Sequence, residues 1–188
     1  QGAMRGVISS EEHDDSSLVE MARNSESLVG TDLVRRVLPD QPMDWCENLS
    51  GWWDMKGPVD RPTRSAPDTH LVALDFGMKR NIARHLYNLG CRVTILPGTA
   101  TAKEVMAEKP SGIFLSNGPG DPAAVEPLIE TLREVAGEVP TFGICLGHQL
   151  LALALGAQTW KLKFGHRGAN QPVRKTQKSR WFNPRLHP

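Results

Sequence analysis

The stretch Phe142-Gly-Ile-Cys-Leu-Gly-His-Gln149 decides how the rest of this 188-residue sequence is interpreted. A short apolar run ends in Cys145, with Gly143 and Gly147 on either side, and a helical apolar pattern follows at once. This layout is typical of a nucleophile elbow, a sharp strand-to-helix turn that exposes one side chain. Glycines suit the turn because strand and helix leave no room for a Cβ atom, and the positive end of the helix stabilises a thiolate. The alternative is a buried structural cysteine in a glycine-rich turn.

Around this stretch, short apolar segments alternate with amphipathic ones, and Thr101 with Glu104 forms a capping box. Strands are predicted at residues 71–76, 91–96, 112–116, 141–144 and 158–164, and helices at 78–89, 101–109, 121–136 and 146–155. Such alternation specifies an α/β fold with a doubly wound, mostly parallel sheet. Ligands bind beyond the C-terminal ends of such strands, where both Cys145 and the Gly118–Gly120 loop are expected.

Three segments are predicted along the chain. Residues 1–66 contain short helices after Asp15 and after Thr31, followed by a loop or linker over 39–67 with no periodic apolar face. Trp45, Trp52 and Trp53 in that loop are expected to pack onto a neighbouring domain, and an interaction surface is the alternative. Residues 67–173 hold the α/β pattern, and residues 174–188 form a basic tail.

Composition excludes several classes of protein. The formal net charge is +1, which implies no strong attraction to nucleic acid or to a membrane surface. No apolar run has the length of a membrane span, and no signal peptide is recognisable. The three cysteines, Cys46, Cys91 and Cys145, have no metal-ligand spacing, so we expect no metal site and a reducing, cytoplasmic location.

A second loop converges on the cysteine. Ser116-Asn-Gly-Pro-Gly-Asp-Pro122 follows a predicted strand and offers backbone N–H groups at glycine positions. The N–H groups of Gly118 and Leu146 could together form an oxyanion hole for an acyl-transfer reaction. An ordinary tight turn that caps a helix is the alternative for this loop.

This pair of motifs resembles the class I (triad) glutamine amidotransferases, whose elbow reads G-x-C-x-G-x-Q. Within that class, longer strings are similar to the small subunit of glutamine-dependent carbamoyl phosphate synthetase: Leu74-Asp-Phe-Gly-Met-Lys-Arg-Asn-Ile82, Phe114-Leu-Ser-Asn-Gly-Pro-Gly-Asp-Pro122, Gly143-Ile-Cys-Leu-Gly-His-Gln149 and Lys163-Phe-Gly-His-Arg-Gly-Ala-Asn-Gln-Pro-Val173. The resemblance covers residues 1–173. It implies that residues 1–66 are the later part of a small N-terminal domain.

The resemblance implies glutamine amide hydrolysis through a cysteine thioester. Cys145 would be the nucleophile and Gly118 and Leu146 would hold the oxyanion, while Gly120 and Gln149, together with those two residues, would bind L-glutamine. A large partner subunit would combine the ammonia with bicarbonate, using ATP and Mg, to make carbamoyl phosphate for pyrimidine or arginine synthesis. No cofactor is implied for this chain.

The chain departs from the family where a base is needed. The family places a histidine and, two residues later, a glutamate late in the domain, and no such pair is present. His148 is interpreted as a residue that packs or contacts a loop, and His166 as structural or at the subunit interface. His187 comes too soon to be the base. The remaining histidines, His13, His70 and His85, have no catalytic context.

We therefore expect a fragment, incomplete at its C-terminus, with little or no glutaminase turnover. The tail 174–188 is interpreted as divergent read-through or, alternatively, as a nucleic-acid-binding arm. Two other functions stay open: an amidotransferase subunit for another synthase, such as anthranilate or GMP synthesis, and a non-catalytic module that docks a large subunit.

Overall fold

The computed structural model describes residues 5–27, 29–49, 69–160 and 162, which fall into two compact units. One unit contains the described residues before Gly30, together with Trp160 and Leu162. Its helix α1 spans Asp15–Asn24, and the Asp14 carboxylate caps it by accepting a hydrogen bond from the Ser17 N–H at 2.7 Å. The helix predicted after Asp15 is confirmed.

The second unit, Gly30–Thr159, is built on a five-stranded sheet in the order β1-β3-β2-β4-β5. The strands are β1 Met43–Trp45, β2 His70–Asp75, β3 Arg92–Pro97, β4 Gly112–Leu115 and β5 Thr141–Gly143. Neighbours among β2 to β5 pair in parallel, whereas β1 pairs antiparallel with β3.

Helices cover both faces of this sheet. They are α2 Arg80–Asn88, α3 Ala102–Ala107, α4 Glu126–Val135 and α5 Leu146–Ala154. The larger apolar core lies under α3, α4 and α5, and a smaller core around Trp45 and Ala73 lies under α2. The predicted doubly wound, mostly parallel α/β fold is confirmed. Within the described part of the chain, no helix is long and apolar enough to cross a membrane.

Local sequence signals set several of the helix starts. The Thr101 hydroxyl accepts a hydrogen bond from the Glu104 N–H, and the Glu104 carboxylate accepts one from the Thr101 N–H, so the predicted capping box is present. Asp121 also acts as a cap, but of a short 3-10 turn, Pro122–Ala124. The α-helix predicted from residue 121 begins only at Glu126.

Three other expectations for this unit were wrong. Met43–Trp45 is a strand rather than a loop, because its partner β3 supplies hydrogen bonds that periodicity within one segment cannot reveal. Leu89, the C-cap residue of α2, is 64% exposed instead of sharing the buried helix face. Of the strand predicted at 158–164, the described positions 158–160 and 162 are not in a strand, and the rest lies outside the described residues.

The segment after Gly30 packs with the sheet. Val34, in a 3-10 turn that spans Val34–Arg36, is 1% exposed and belongs to the larger core. The helix predicted after Thr31 is thus a single 3-10 turn. The compact unit begins at Gly30, whereas the sequence places a domain boundary near residue 66, where the structure describes no residues.

An ion cluster joins β1 to α2. The Glu47 carboxylate accepts hydrogen bonds from Arg84 at 2.9 Å and from Arg80 at 2.5 Å. The Arg80 guanidinium also lies over the Trp45 ring, 5.4 Å from its centroid, while the Trp45 indole N–H donates to the Glu47 carbonyl. Trp45 is buried against the α2 side of the sheet, within its own compact unit rather than against a separate domain. Trp52 and Trp53 lie outside the described residues.

The Glu47→Gln variant should be less stable than the wild type at neutral pH and equally stable in acid. The hydrogen bond from Arg84, with a smaller contribution from Arg80, holds the pKa of Glu47 below its ordinary value of 4.5. A folded-state pKa below the unfolded value stabilises the fold above pH 4.5, and this contribution is lost as the pH falls through the folded-state pKa. Urea unfolding across this range, with Glu134→Gln at an exposed helix position as the control, measures the effect. A stability difference between the variant and the wild type that persists unchanged in acid would contradict this prediction.

Candidate active site

Cys145 occupies the turn between β5 and α5. It is the N-cap residue of α5, with φ 55° and ψ −112°, and its side chain is exposed. Non-glycine residues rarely adopt this backbone conformation, which costs about 1–3 kcal/mol. The predicted strand–turn–helix with an outward cysteine is therefore present, and the alternative of a buried structural cysteine is excluded. The catalytic role of Cys145 stays a prediction.

The two glycines that flank Cys145 are required by packing. A Cβ atom on Gly143 would lie 2.5 Å from the backbone carbon of Gly147, and one on Gly147 would overlap the carbonyl oxygen of Leu115. Real Cβ atoms do not approach other atoms so closely. The first turn of α5 is thus pressed directly against the ends of β4 and β5.

Buried Ser116, directly after β4, links the end of β2 to the first turn of α5. Its hydroxyl accepts a hydrogen bond from the Phe76 N–H at 2.8 Å and donates one to the Asn117 carbonyl at 2.7 Å. Its backbone N–H donates to the Leu74 carbonyl, and its carbonyl accepts from the Gly147 N–H at 3.0 Å. Sequence reasoning missed this linking role, because Leu74, Phe76 and Gly147 are distant from Ser116 along the chain.

Asn117 ties the loop after β2 to the loop after β4. Its amide Nδ2 donates to the Gly77 carbonyl at 3.0 Å, and its Oδ1 accepts from the Lys79 N–H at 3.1 Å. Asp75 closes the same turn by accepting hydrogen bonds from the N–H groups of Gly77 and Met78. The turn Asp75-Phe-Gly-Met-Lys79 therefore supports the Gly118–Gly120 loop beside Cys145.

The two predicted oxyanion residues lie side by side. A Cβ atom on Gly118 would be 2.8 Å from Cδ2 of Leu146 and would overlap the carbonyl oxygen of Phe76. Leu146 is the first residue of α5, and N–H groups in the first turn of a helix have no intrahelical partner. The two residues are therefore neighbours, and their roles in an oxyanion hole stay predictions.

The other two predicted substrate contacts lie on the same loop and on the same helix. Gly120 has φ 95° and is exposed, and Leu33 lies close to its Cα. Next to it, the Asp121 carboxylate accepts a hydrogen bond from the Gly30 N–H at 3.1 Å, so residues 30–33 brace the loop. Gln149 is exposed on α5, and its N–H donates to the Cys145 carbonyl.

The described residues supply no evident base for Cys145. Among the described residues, no side chain hydrogen-bonds the Cys145 thiol. His148 and His85 are exposed, whereas His70 is buried and hydrogen-bonded to the Thr94 hydroxyl at 2.9 Å. His13 lies in the other unit. His166 and His187 lie outside the described residues. The same described ranges contain no group of histidine, cysteine and acidic side chains that could hold a metal ion.

The three cysteines differ in environment. Cys46 and Cys145 are exposed, and Cys91 is partly buried before β3. Burial raises the pKa of the Cys91 thiol.

Known proteins are similar to this chain in sequence. Residues 72–186, more than half of the sequence, match the family Glutamine amidotransferase class-I. The chain belongs to this family. The match extends into residues 174–188, which are predicted from the sequence to be a divergent basic tail.

Relatives in this family carry a more specific name. The chain is 53% identical over 174 residues to the "Carbamoyl phosphate synthase small chain" of Syntrophotalea carbinolica, and the match covers 93% of this chain and 45% of that protein. It is 52% identical over 176 residues to the protein of the same name from Rhodopirellula baltica, with coverages of 92% and 45%. The chloroplastic small chain of Oryza sativa is 46% identical, and 37% of its length is covered. The chain therefore spans less than half the length of these relatives.

A solved structure is also similar. It is described as a "putative gmp synthase subunit a protein" from Thermoplasma acidophilum, and it matches 55% of this chain over 53% of its own, with 24% sequence identity and a TM-score of 0.48.

Gly147→Ala should destabilise the second unit by about 1–3 kcal/mol, because the added methyl group would force α5 away from the end of β4. Gly112→Ala is the matched control, since its nearest neighbours would be 3.2 Å from the new Cβ atom and need to move only slightly. Urea unfolding followed by circular dichroism measures both. Equal losses for the two variants would contradict the packing argument.

Iodoacetamide should alkylate Cys46 and Cys145 before Cys91. The raised pKa of the Cys91 thiol lowers its thiolate fraction, and partial burial limits access. Peptide mapping by mass spectrometry over a time course gives the three rates, and the urea-unfolded chain provides the unprotected reference. The expectation fails if Cys91 reacts as fast as Cys46 in the folded protein.

Proposed function

We propose that this chain supplies the nucleophile side of a glutamine amidotransferase site and acts as part of the small subunit of a carbamoyl phosphate synthetase. The single observation that carries the proposal is Cys145, exposed in a strained turn against the Gly118 loop. An elbow of this kind aims the sulfur at a substrate and leaves space for main-chain donors beside it.

The proposed reaction is hydrolysis of the side-chain amide of L-glutamine. The Cys145 sulfur attacks the amide carbon, forming a C–S bond, while the carbonyl electrons move onto oxygen and are held by the N–H groups of Gly118 and Leu146. Collapse breaks the C–N bond, and the thiol proton leaves with the ammonia. Water then cleaves the thioester, which gives glutamate and restores the thiol.

The proton transfers need a base, and the sequence lacks the His-x-Glu pair of the family. A thiol without such a base is a weak nucleophile in its neutral form. We therefore propose that the chain by itself turns glutamine over slowly or not at all.

The ammonia is proposed to reach a large synthetase subunit. That subunit would use ATP and Mg with bicarbonate to form carbamoyl phosphate, and this chain would need no cofactor of its own. Support comes from the names of the relatives, which are small chains of carbamoyl phosphate synthase. The same names argue against a subunit that serves anthranilate or GMP synthesis.

A second candidate is a module that docks the large subunit without chemistry. The observation in its favour is that the sequence lacks the His-x-Glu pair that would serve as the base. The strained backbone at Cys145 argues for the catalytic candidate, because docking alone gives no reason to maintain it.

A glutamine analogue with a chloromethyl ketone in place of the amide should label Cys145 selectively. Cys46, which is equally exposed but lies outside the elbow, is the internal control. L-Glutamine should slow the labelling of Cys145, D-glutamine should not, and neither should change the labelling of Cys46. Peptide mapping by mass spectrometry reads out all three.

Ammonia release provides the second measurement. The wild-type chain and Cys145→Ser should both stay near the background rate. Full-rate hydrolysis that is lost in Cys145→Ser would overturn the proposed inactivity, and labelling without preference for Cys145 over Cys46 would overturn the proposed site.

A further inference from the structure

A buried side chain holds the peptide group between Asn117 and Gly118 in one orientation. The Ser116 hydroxyl donates a hydrogen bond to the Asn117 carbonyl at 2.7 Å and accepts one from the Phe76 N–H at 2.8 Å. Because Ser116 is 0% exposed, bulk water does not compete for its hydroxyl. The Asn117 carbonyl is therefore fixed toward a buried donor, which is itself tied to the residue that follows β2.

The orientation of this carbonyl determines that of the Gly118 N–H. A trans peptide group is planar, and its N–H points opposite to its C=O. Within the described residues, every peptide bond is trans. The Gly118 N–H is therefore directed away from the Ser116 hydroxyl. In the part of the chain that the structure describes, no group accepts a hydrogen bond from this N–H.

Gly118 itself does not restrain the peptide plane. Packing requires glycine here, because a Cβ atom would overlap the Phe76 carbonyl oxygen. A residue without a Cβ atom adopts positive φ as readily as negative φ, and this freedom lets the preceding peptide plane rotate by about 180°, the difference between type I and type II turns. The glycine that permits the close packing thus leaves the peptide plane in need of another restraint, which the Ser116 hydroxyl supplies.

The two orientations of the plane differ in the charge that they present. Rotation would withdraw the Gly118 N–H and turn the Asn117 carbonyl oxygen to the same side. Oxyanion stabilisation needs donors where negative charge develops, and a carbonyl oxygen in that place repels the charge. A rotated plane would therefore be worse for acyl transfer than a missing donor.

We propose that Ser116 is a positioning residue for the glutamine site, whose hydroxyl acts through the Asn117 carbonyl to keep the Gly118 N–H oriented as an oxyanion donor. The inference rests on the proposed function, because the oxyanion is the one that forms in that reaction. The Asn117 side chain has a different part. Its bonds to the Gly77 carbonyl and the Lys79 N–H tie it to the loop after β2, but they do not fix the plane of the peptide that follows.

Two labelling reagents separate this role from a general effect on Cys145. The thiolate adds to the ketone of the chloromethyl ketone analogue, whose oxygen takes up the negative charge, before it displaces chloride, whereas it displaces iodide from iodoacetamide directly. Both reactions form one C–S bond, release a halide ion and leave the thiol proton in solvent. Only the first involves an oxyanion.

Ser116→Ala, in the full 188-residue chain, is the test variant. It should lower the saturated rate of chloroketone labelling of Cys145 at least about fivefold, the effect of losing one hydrogen bond. The rate of iodoacetamide labelling should stay unchanged, because Ser116 does not act on the thiol itself.

Thr94→Val is the matched control. Thr94 is 5% exposed, and its hydroxyl also has two partners, His70 and Asp44, but it lies within β3. This substitution should leave the ratio of the two labelling rates unchanged. Thermal unfolding of both variants measures their stability, so that a loss of rate is compared at matched fractions of folded protein.

Nuclear magnetic resonance measures the orientation of the peptide without any use of Cys145. The nuclear Overhauser effect between the Asn117 Hα and the Gly118 amide proton depends on ψ of Asn117. It should change in Ser116→Ala, together with the Asn117 carbonyl carbon shift, and stay unchanged in Thr94→Val. In the wild type, the Ser116 hydroxyl proton should be visible and slow to exchange, a measurement that does not depend on the folding of any variant.

Unchanged Asn117 and Gly118 resonances in Ser116→Ala would overturn the proposal. Equal losses of rate with both reagents would also overturn it, as would rapid exchange of the Ser116 hydroxyl proton in the wild type. A wild-type chain whose Cys145 the glutamine analogue does not label would instead overturn the proposed function, and with it the part of Ser116 in that reaction. The two failures are distinguishable, because the resonances report the peptide orientation whether or not Cys145 reacts.

Discussion

At the C-terminal ends of β2, β4 and β5, main chain touches main chain with no side chain between. Gly118 lies against the Phe76 carbonyl, and Gly147 against the Leu115 carbonyl, closer than any Cβ atom allows. Interiors are packed as densely as organic crystals, so a methyl group at either position must displace a strand end or a helix. The relative position of the cysteine turn and the glycine loop depends on this contact.

Hydrogen bonds from polar side chains then stabilise the close packing that the glycines permit. Ser116 is fully buried, yet its hydroxyl both donates and accepts a hydrogen bond, so burying it leaves no unsatisfied group. Asn117 adds a two-point link from its side chain to the loop after β2. Each bond contributes about 0.5–1.5 kcal/mol to stability, but their main effect is directional, because together they orient a loop that has few side chains of its own.

The sequence predicts those structural features that depend on residues close together in the chain. The alternation of strands and helices, the capping box at Thr101 and the strand–turn–helix at Cys145 are all encoded within a few neighbouring residues. The sequence does not predict the features that depend on contacts between residues far apart in the chain. The strand Met43–Trp45 exists because β3 is there to pair with it, and the linking role of Ser116 depends on partners about 30 to 40 residues away along the chain. The packing of residues 30–38 against the glycine loop is likewise invisible in a short apolar pattern.

Cys145 has a backbone conformation that glycine would adopt without strain. Mutational drift under selection for folding alone would favour replacing the cysteine, since the substitution would relieve about 1–3 kcal/mol at no cost in packing at an exposed position. A polypeptide that did not use the sulfur would therefore gain no stability by retaining cysteine at this position. The strain at this one position is thus a cost that the packing of the fold does not explain.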